Sequence, residues 1–220
     1  MGQTVEHCSH IDLNSTRQSE IIFIRLHGDR MLWFEFLLVD AIRNVPGTLV
    51  LVFECRFQSS ETTRHRVAAC DVDILFLTPR SQTPFSITTC PIIEGPPEQE
   101  IEVTHTKSHS VTGEAAISYL ASVLAKLTHT STRKYRITER ETRSGCTRGL
   151  HAVNLGFHEN NVVRKGLNGE RRVTIRMDDV DGVTSICCTF TARLRYTAVR
   201  TFGLTTSHLE NVDTMFTLKL

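Results

Sequence analysis

Residues 185–199 read Ser-Ile-Cys-Cys-Thr-Phe-Thr-Ala-Arg-Leu-Arg-Tyr-Thr-Ala-Val, and this stretch decides the fold class. Ile186, Cys188, Phe190, Ala192, Leu194 and Tyr196 fall on one parity, and Cys187, Thr189, Thr191, Arg193, Arg195 and Thr197 on the other. Successive side chains on a strand point to opposite faces, so this segregation marks a long strand with one buried side. Immediately upstream, Val173, Ile175 and Met177 alternate with Arg172, Thr174 and Arg176. Asp178-Asp179-Val180-Asp181-Gly182 lies between the two runs and is a turn-forming cluster. The pair is expected to form a β-hairpin with an arginine-studded outer face.

The same texture runs outward through the chain. Leu49, Leu51, Phe53, Cys55 and Phe57 alternate with Val50, Val52, Glu54 and Arg56, just after Pro46-Gly47. Ile21 to Leu26 and Met31 to Val39 read as two strands joined by His27-Gly28-Asp29-Arg30. Val67 to Leu77 and Glu100 to His105 read as two more, with Tyr135 and Ile137 on a return strand. The exception is residues 114–127. Ile117, Tyr119, Ala121, Val123, Ala125 and Leu127 alternate perfectly, yet Glu114, Ala115, Ala116, Leu120 and Leu124 suit a helix by propensity. The expected fold is all-β, an antiparallel sandwich or barrel-like sandwich of about eight to ten strands, with strand or one helix left open at 114–127.

Thr78 to Gln99 holds five of the six prolines, Pro79, Pro84, Pro91, Pro96 and Pro97. It reads as a long irregular connection. The chain is therefore expected to be one domain of two lobes, 1–77 and 100–220, joined through 78–99. Charge divides in a similar way. Residues 1–110 carry nine basic and fourteen acidic side chains, and residues 111–220 carry sixteen and ten, giving −5 and +6.

Composition excludes several classes. With 40% hydrophobic and 22% charged residues the chain is ordinary globular protein rather than a disordered or collagen-like one. At 220 residues it buries about 70% of its unfolded surface and needs no disulfide or metal to hold a core. Its longest apolar run, Met31 to Val39, is interrupted by Glu35 and is far short of the ~20 residues of a spanning helix, so no transmembrane segment is expected. Met1 to Glu20 lacks the basic start and apolar core of a signal peptide, and Glu6 stands where a myristoylation motif wants Ser or Thr. Seven cysteines without a Cys-x-x-Cys pair read as reduced thiols, several of them buried. A cytoplasmic protein is the expectation.

Leu150 to Leu167 reads Leu-His-Ala-Val-Asn-Leu-Gly-Phe-His-Glu-Asn-Asn-Val-Val-Arg-Lys-Gly-Leu. It resembles a segment of an uncharacterised family of β-rich proteins from filamentous fungi, in which Trp-x-Leu-x-Glu-Asn is followed after three residues by Lys-x-Gly-Ile. Glu159, Asn160 and Gly166 match, Arg164 and Leu167 are conservative replacements, and Leu155 stands where the family has tryptophan. Arg171 to Val199 is similar in rhythm. The resemblance implies an all-β, non-secreted fungal protein and brings no activity. From their own chemistry, Glu159, Asn160 and Gly166 are expected to brace a loop, and Asn168-Gly169 to form a tight turn.

Chemistry-bearing patterns are sparse. His105 and His109 are four apart, which on a strand is about 13 Å and too far to share an ion. His7-Cys8-Ser9-His10 has no second ligand pair, and the Asp178–Asp181 cluster lacks the distal glutamate of a calcium loop, so no metal site is expected. Cys146 sits near Arg143, Arg148 and His151, cations that lower a thiol pKa, but no catalytic residue can be assigned from that alone. No nucleophile elbow, phosphate loop or dinucleotide fingerprint occurs, so no cofactor is expected and enzyme or non-enzyme stays undecided. The most concrete surface feature is Arg172, Arg176, Arg193 and Arg195, candidates for anion binding on one sheet face. With 7% aromatic residues and no stacking aromatics there, nucleic acid is disfavoured as a partner, leaving a small molecule or a protein.

Three functions stay in view. The leading expectation is a non-catalytic intracellular binding or interaction module. The second is a cofactor-free small-molecule biosynthetic protein, of cyclase or isomerase type, in fungal specialised metabolism, acting through pocket shape. The third is a membrane-acting β protein whose long amphipathic strands, including Ile117 to Leu127 and Ser185 to Val199, rearrange on lipid.

Overall fold

The computed structural model describes residues 4–6, 10–13, 20–27, 32–43, 45–59, 65–79, 84–96, 99–112, 126–139, 141–160, 164–199 and 205–220. Along the chain run β1 (Thr4–Glu6), β2 (His10–Asp12), β3 (Glu20–His27), β4 (Leu32–Ile42), β5 (Thr48–Gln58) and β6 (His65–Leu77). They are followed by β7 (Ile92–Glu94), β8 (Gln99–Thr112), β9 (Lys126–Glu139), β10 (Thr142–Arg148) and β11 (Ala152–His158). Last come β12 (Gly169–Asp178), β13 (Ser185–Val199) and β14 (Thr205–Lys219). Among the described residues there is no helix. Most of the 114–127 region lies outside them; only Lys126 and Leu127 are described, at the start of β9.

The chain forms two compact units, Met1–Pro97 with Arg140–Leu220, and Glu98–Glu139. The first is a sandwich of two six-stranded sheets, ordered β1-β3-β4-β5-β12-β7 and β10-β11-β6-β13-β14-β2. Pairing is antiparallel except between β14 and β2. The expected all-β sandwich is therefore the observed fold. Its strands outnumber the eight to ten expected, because short segments such as β1, β2 and β7 extend the sheet edges.

The division into lobes falls elsewhere than expected. Each sheet takes strands from both 1–77 and 100–220, since hydrogen-bonded pairing joins β5 to β12 and β6 to both β11 and β13. The proline-rich stretch is no linker either. Phe85 and Ile87 are buried, Ser86 bridges to Asp178, and β7 adds to the edge of the first sheet.

The core is built from the parities read in the sequence. Leu49, Leu51, Phe53, Cys55 and Phe57 of β5 are buried, as are Ile186, Cys188, Phe190, Ala192, Leu194 and Tyr196 of β13. Phe36 of β4 meets Phe190 of β13 across the sandwich with ring centroids 4.7 Å apart, and Phe57 meets Phe157 of β11 at 5.5 Å. Burial raises the Cys55, Cys70 and Cys188 thiols well above their ordinary range, so these residues pack as small hydrophobes.

The expected hairpin of 172–199 is corrected. β12 pairs with β5 and β7 in one sheet, and β13 pairs with β6 and β14 in the other. The Asp178–Gly182 turn carries the chain from sheet to sheet. A turn cluster signals reversal, but it does not say whether the next strand pairs with the last or crosses over it.

Candidate functional site

One edge of the sandwich brings β7 of the first sheet near β10 of the second. The chain leaves the sandwich after β7 and returns just before β10, and the residues between make the second unit. Arg143 of β10 ties the departure and the return together. Its Nη2 donates to the Pro96 carbonyl at 2.8 Å and its Nε to Glu141 Oε1 at 2.5 Å. Gly95 makes this possible, because a Cβ there would stand 2.5 Å from the Arg143 Cζ.

Glu141 also holds Arg171, which is 1% exposed on the inner face of β12. Arg171 Nε donates to Glu141 Oε1 at 3.0 Å and Oε2 at 3.2 Å, and its Nη2 contacts Oε2 as well. Its Nη1 donates to the Gly169 carbonyl at 2.7 Å, and its guanidinium stacks over Phe57 at 4.9 Å. Burial pushes the Glu141 carboxyl up, but hydrogen bonds and charge from Arg171, then from Arg143, outweigh it and hold it below its ordinary value. An Arg171–Glu141–Arg143 network thus joins the two sheets where the chain to the second unit departs and returns.

That unit is a two-stranded antiparallel hairpin. β8 and β9 pair without a register break over fourteen positions, from Gln99↔Glu139 to Thr112↔Lys126. Residues 113–125, Gly-Glu-Ala-Ala-Ile-Ser-Tyr-Leu-Ala-Ser-Val-Leu-Ala, connect them with Glu114 as the sole charged residue. In the β8–β9 register His109 pairs with His129 and His105 with Arg133.

The arginine candidates are not brought together. Arg172 and Arg176 stand on β12, and Arg193 and Arg195 on β13 of the other sheet. Arg172 pairs with Glu54 at 3.6 Å, Arg176 with Asp178 at 2.9 Å and Arg193 with Asp73 at 3.0 Å. The cations read beside Cys146 are also engaged elsewhere. Arg143 reaches Glu141, Arg148 lies 3.9 Å from Asp73, and His151 packs edge-on against Phe85. Among the described residues no group of His, Cys, Asp and Glu could hold a metal ion. The cluster at His7–His10 lies outside the described residues apart from His10. Asp178 accepts from Thr88 at 2.9 Å, and Asp181 accepts from the Gly47 amide at 3.0 Å, so both carboxylates anchor neighbouring loops.

Glu159 receives Arg66 Nε at 3.1 and 2.8 Å and the Gly166 amide at 2.9 Å, while the Asn160 carbonyl accepts from the Arg164 amide at 3.0 Å. Gly166 has φ +83°, and a Cβ on it would lie 2.6 Å from Ser59 Oγ and 2.7 Å from Arg66 Cβ. Gly166→Ala is expected to lose about 1–3 kcal/mol of stability in urea unfolding. No change in midpoint would show that the loop can yield.

Sequence reasoning missed Glu141 and Arg171. Arg171 shares parity with Val173, Ile175 and Met177, which was the available signal. Nothing local distinguished Glu141.

Fold and site together define a predominantly antiparallel β-sandwich whose chain departs after β7 into a two-stranded hairpin unit and returns before β10. No protein-family model matches the chain, and no curated protein matches its sequence. Among solved structures, it is similar to the Clostridium perfringens NetB toxin in the membrane inserted form, with TM-score 0.41 and 4% identity, covering 100% of this chain and 96% of that one. It is also similar to a structure described as a pore forming protein, with TM-score 0.35 and 9% identity, covering 99% and 95%. At such scores no residue correspondence is drawn. Neither neighbour is described as a cytoplasmic binding module or a biosynthetic protein, and those two expectations are not carried further. Among the described residues no helix is long and apolar enough to cross a membrane, which leaves crossing by strands untouched.

Proposed function

We propose that this chain is a membrane-acting β protein that engages lipid through its hairpin. The carrying observation is the hairpin itself, fourteen continuous pairs forming a unit of their own around a connecting segment with a single charge. Fourteen strand residues extend about 48 Å, against the ~9–11 residues with which a tilted strand crosses the hydrocarbon layer. Apolar character concentrates in the connecting segment, where Ile117, Tyr119, Ala121 and Val123 hold one parity and Leu120 and Leu124 the other. A lone hairpin leaves backbone groups unpaired along both outer edges, which hydrocarbon does not tolerate. Action inside a bilayer therefore calls for hairpins of several copies side by side. The fungal resemblance of 150–199 adds no activity to this reading.

Dye release from liposomes tests it. The wild-type chain is expected to release trapped dye. Leu120→Asp with Val123→Asp is expected to cut release at least about tenfold, each charge costing ~2 kcal/mol or more in the bilayer interior. The sandwich should still unfold at its wild-type midpoint. Release by neither protein, on every lipid composition tried, would end the membrane reading.

A further inference from the structure

The register of the hairpin assembles something that spacing along the chain does not show. From Thr104 to Thr112 on β8 and from Lys126 to Lys134 on β9, nine consecutive pairs contain no aspartate or glutamate. They contain Lys107, Lys126, Arg133 and Lys134 as permanent cations, and His105, His109 and His129. On one face, three successive pairs at alternate positions read His105↔Arg133, Lys107↔Ser131 and His109↔His129. The acids of the hairpin strands, Glu100, Glu102 and Glu139, stand at the root end, where Glu102 is opposite Arg136. Glu114 belongs to the connecting segment.

We propose that this His105–Lys107–His109–His129–Arg133 face is an acid-strengthened docking surface for anionic lipid headgroups. The proposal rests on the membrane reading above and names the lipid class and its control. Histidine titrates near ~6.5, so mild acid adds up to three cations to a stretch that already carries four and has no acid to neutralise them. The register sets His109 opposite His129 and His105 opposite Arg133, so acid concentrates positive charge at facing positions, where an external anion would offset it. A phosphate- or carboxylate-bearing membrane supplies it at high density. Continuity with the weakly charged 113–125 segment favours a lipid surface over a nucleic acid, because a nucleic acid offers no place for apolar side chains.

The experiment is sedimentation of the full chain with phosphatidylcholine vesicles, with and without phosphatidylserine, at about pH 5.5 and about pH 7.5, on either side of the histidine range. On serine-containing vesicles, binding is expected to tighten roughly 10- to 100-fold at the lower pH, and the gain should shrink with added salt. With His105→Gln, His109→Gln and His129→Gln together, the ratio between the two pH values should fall to near one. Thermal unfolding checks that this variant is folded. As a second variant, His105→Lys alone should reduce the ratio by raising binding at neutral pH. Binding without an acid gain, an equal gain on pure phosphatidylcholine, or a gain that survives the triple substitution would each overturn this proposal and leave the membrane reading standing. Absence of binding and of dye release under every condition would overturn both. Acid-dependent retention by an oligonucleotide with none by anionic vesicles would assign the face to nucleic acid instead.

Discussion

Replacing Arg171 with methionine is expected to destabilise the sandwich by about 3–5 kcal/mol, because the change leaves Glu141 largely buried without its main partner. Arg171 is 1% exposed, and it donates to both carboxylate oxygens of Glu141. Arg143 remains beside Glu141, so the loss should sit at the lower end of that range. Changing Arg171→Met and Glu141→Leu together should recover much of the deficit, since a packed apolar pair removes both buried charges. Urea unfolding of wild type, Arg171→Met, Glu141→Leu and the double variant gives the coupling directly. A double variant no more stable than the single one would show that the charges, not the packing, hold the edge. The same network sets an acid response. The folded-state value of Glu141 is depressed, so its stabilisation is complete above the unfolded carboxylate range. It is lost as pH falls through the depressed value. Wild type should therefore lose stability on strong acidification, and Glu141→Gln should lack that component of the loss.

Phe190→Ala is expected to cost about 3–5 kcal/mol, in the usual range for deleting a buried ring. Phe190 is fully buried, and its ring lies 4.7 Å from that of Phe36 in the facing sheet. The cavity would open between the sheets, where neither backbone can close it without breaking ladder hydrogen bonds. Phe190→Leu should cost markedly less, because most of the volume is kept. An alanine variant within about 1 kcal/mol of wild type would mean that the sandwich collapses to fill the space.

Local alternation was a sound guide to individual strands. The run from Ser185 to Val199 is β13 with the same ends, and its buried parity is the one read from the residues. β5 and the β3–β4 pair were equally legible, since one-sided burial stamps period two on any strand. Pairing was not legible. Arg172 and Arg193 belong to strands separated by a turn of ordinary composition, yet they lie in different sheets. Which neighbour a strand takes depends on backbone partners far along the chain, such as β5 for β12 and β6 for β13. The candidate site shows the same limit. His105 and His109 are visible in the sequence as a pair too widely spaced to share an ion, and His129 joins them only through the β8–β9 register. Arg171 was one arginine among several in 171–176, and its burial depends on Glu141, thirty residues upstream.

By itself, then, the amino-acid sequence determined that this chain is of the all-β class and which faces of β5 and β13 are apolar. Those properties follow from side-chain periodicity and residue type, which are local. Tertiary structure alone decided that the turn at Asp178–Gly182 crosses between sheets, that 98–139 stands as a hairpin unit, and that Glu141 binds Arg171 and Arg143 at its roots. These depend on hydrogen bonds and ion pairs between distant segments, whose formation is set by closure of the whole sandwich rather than by any stretch of it.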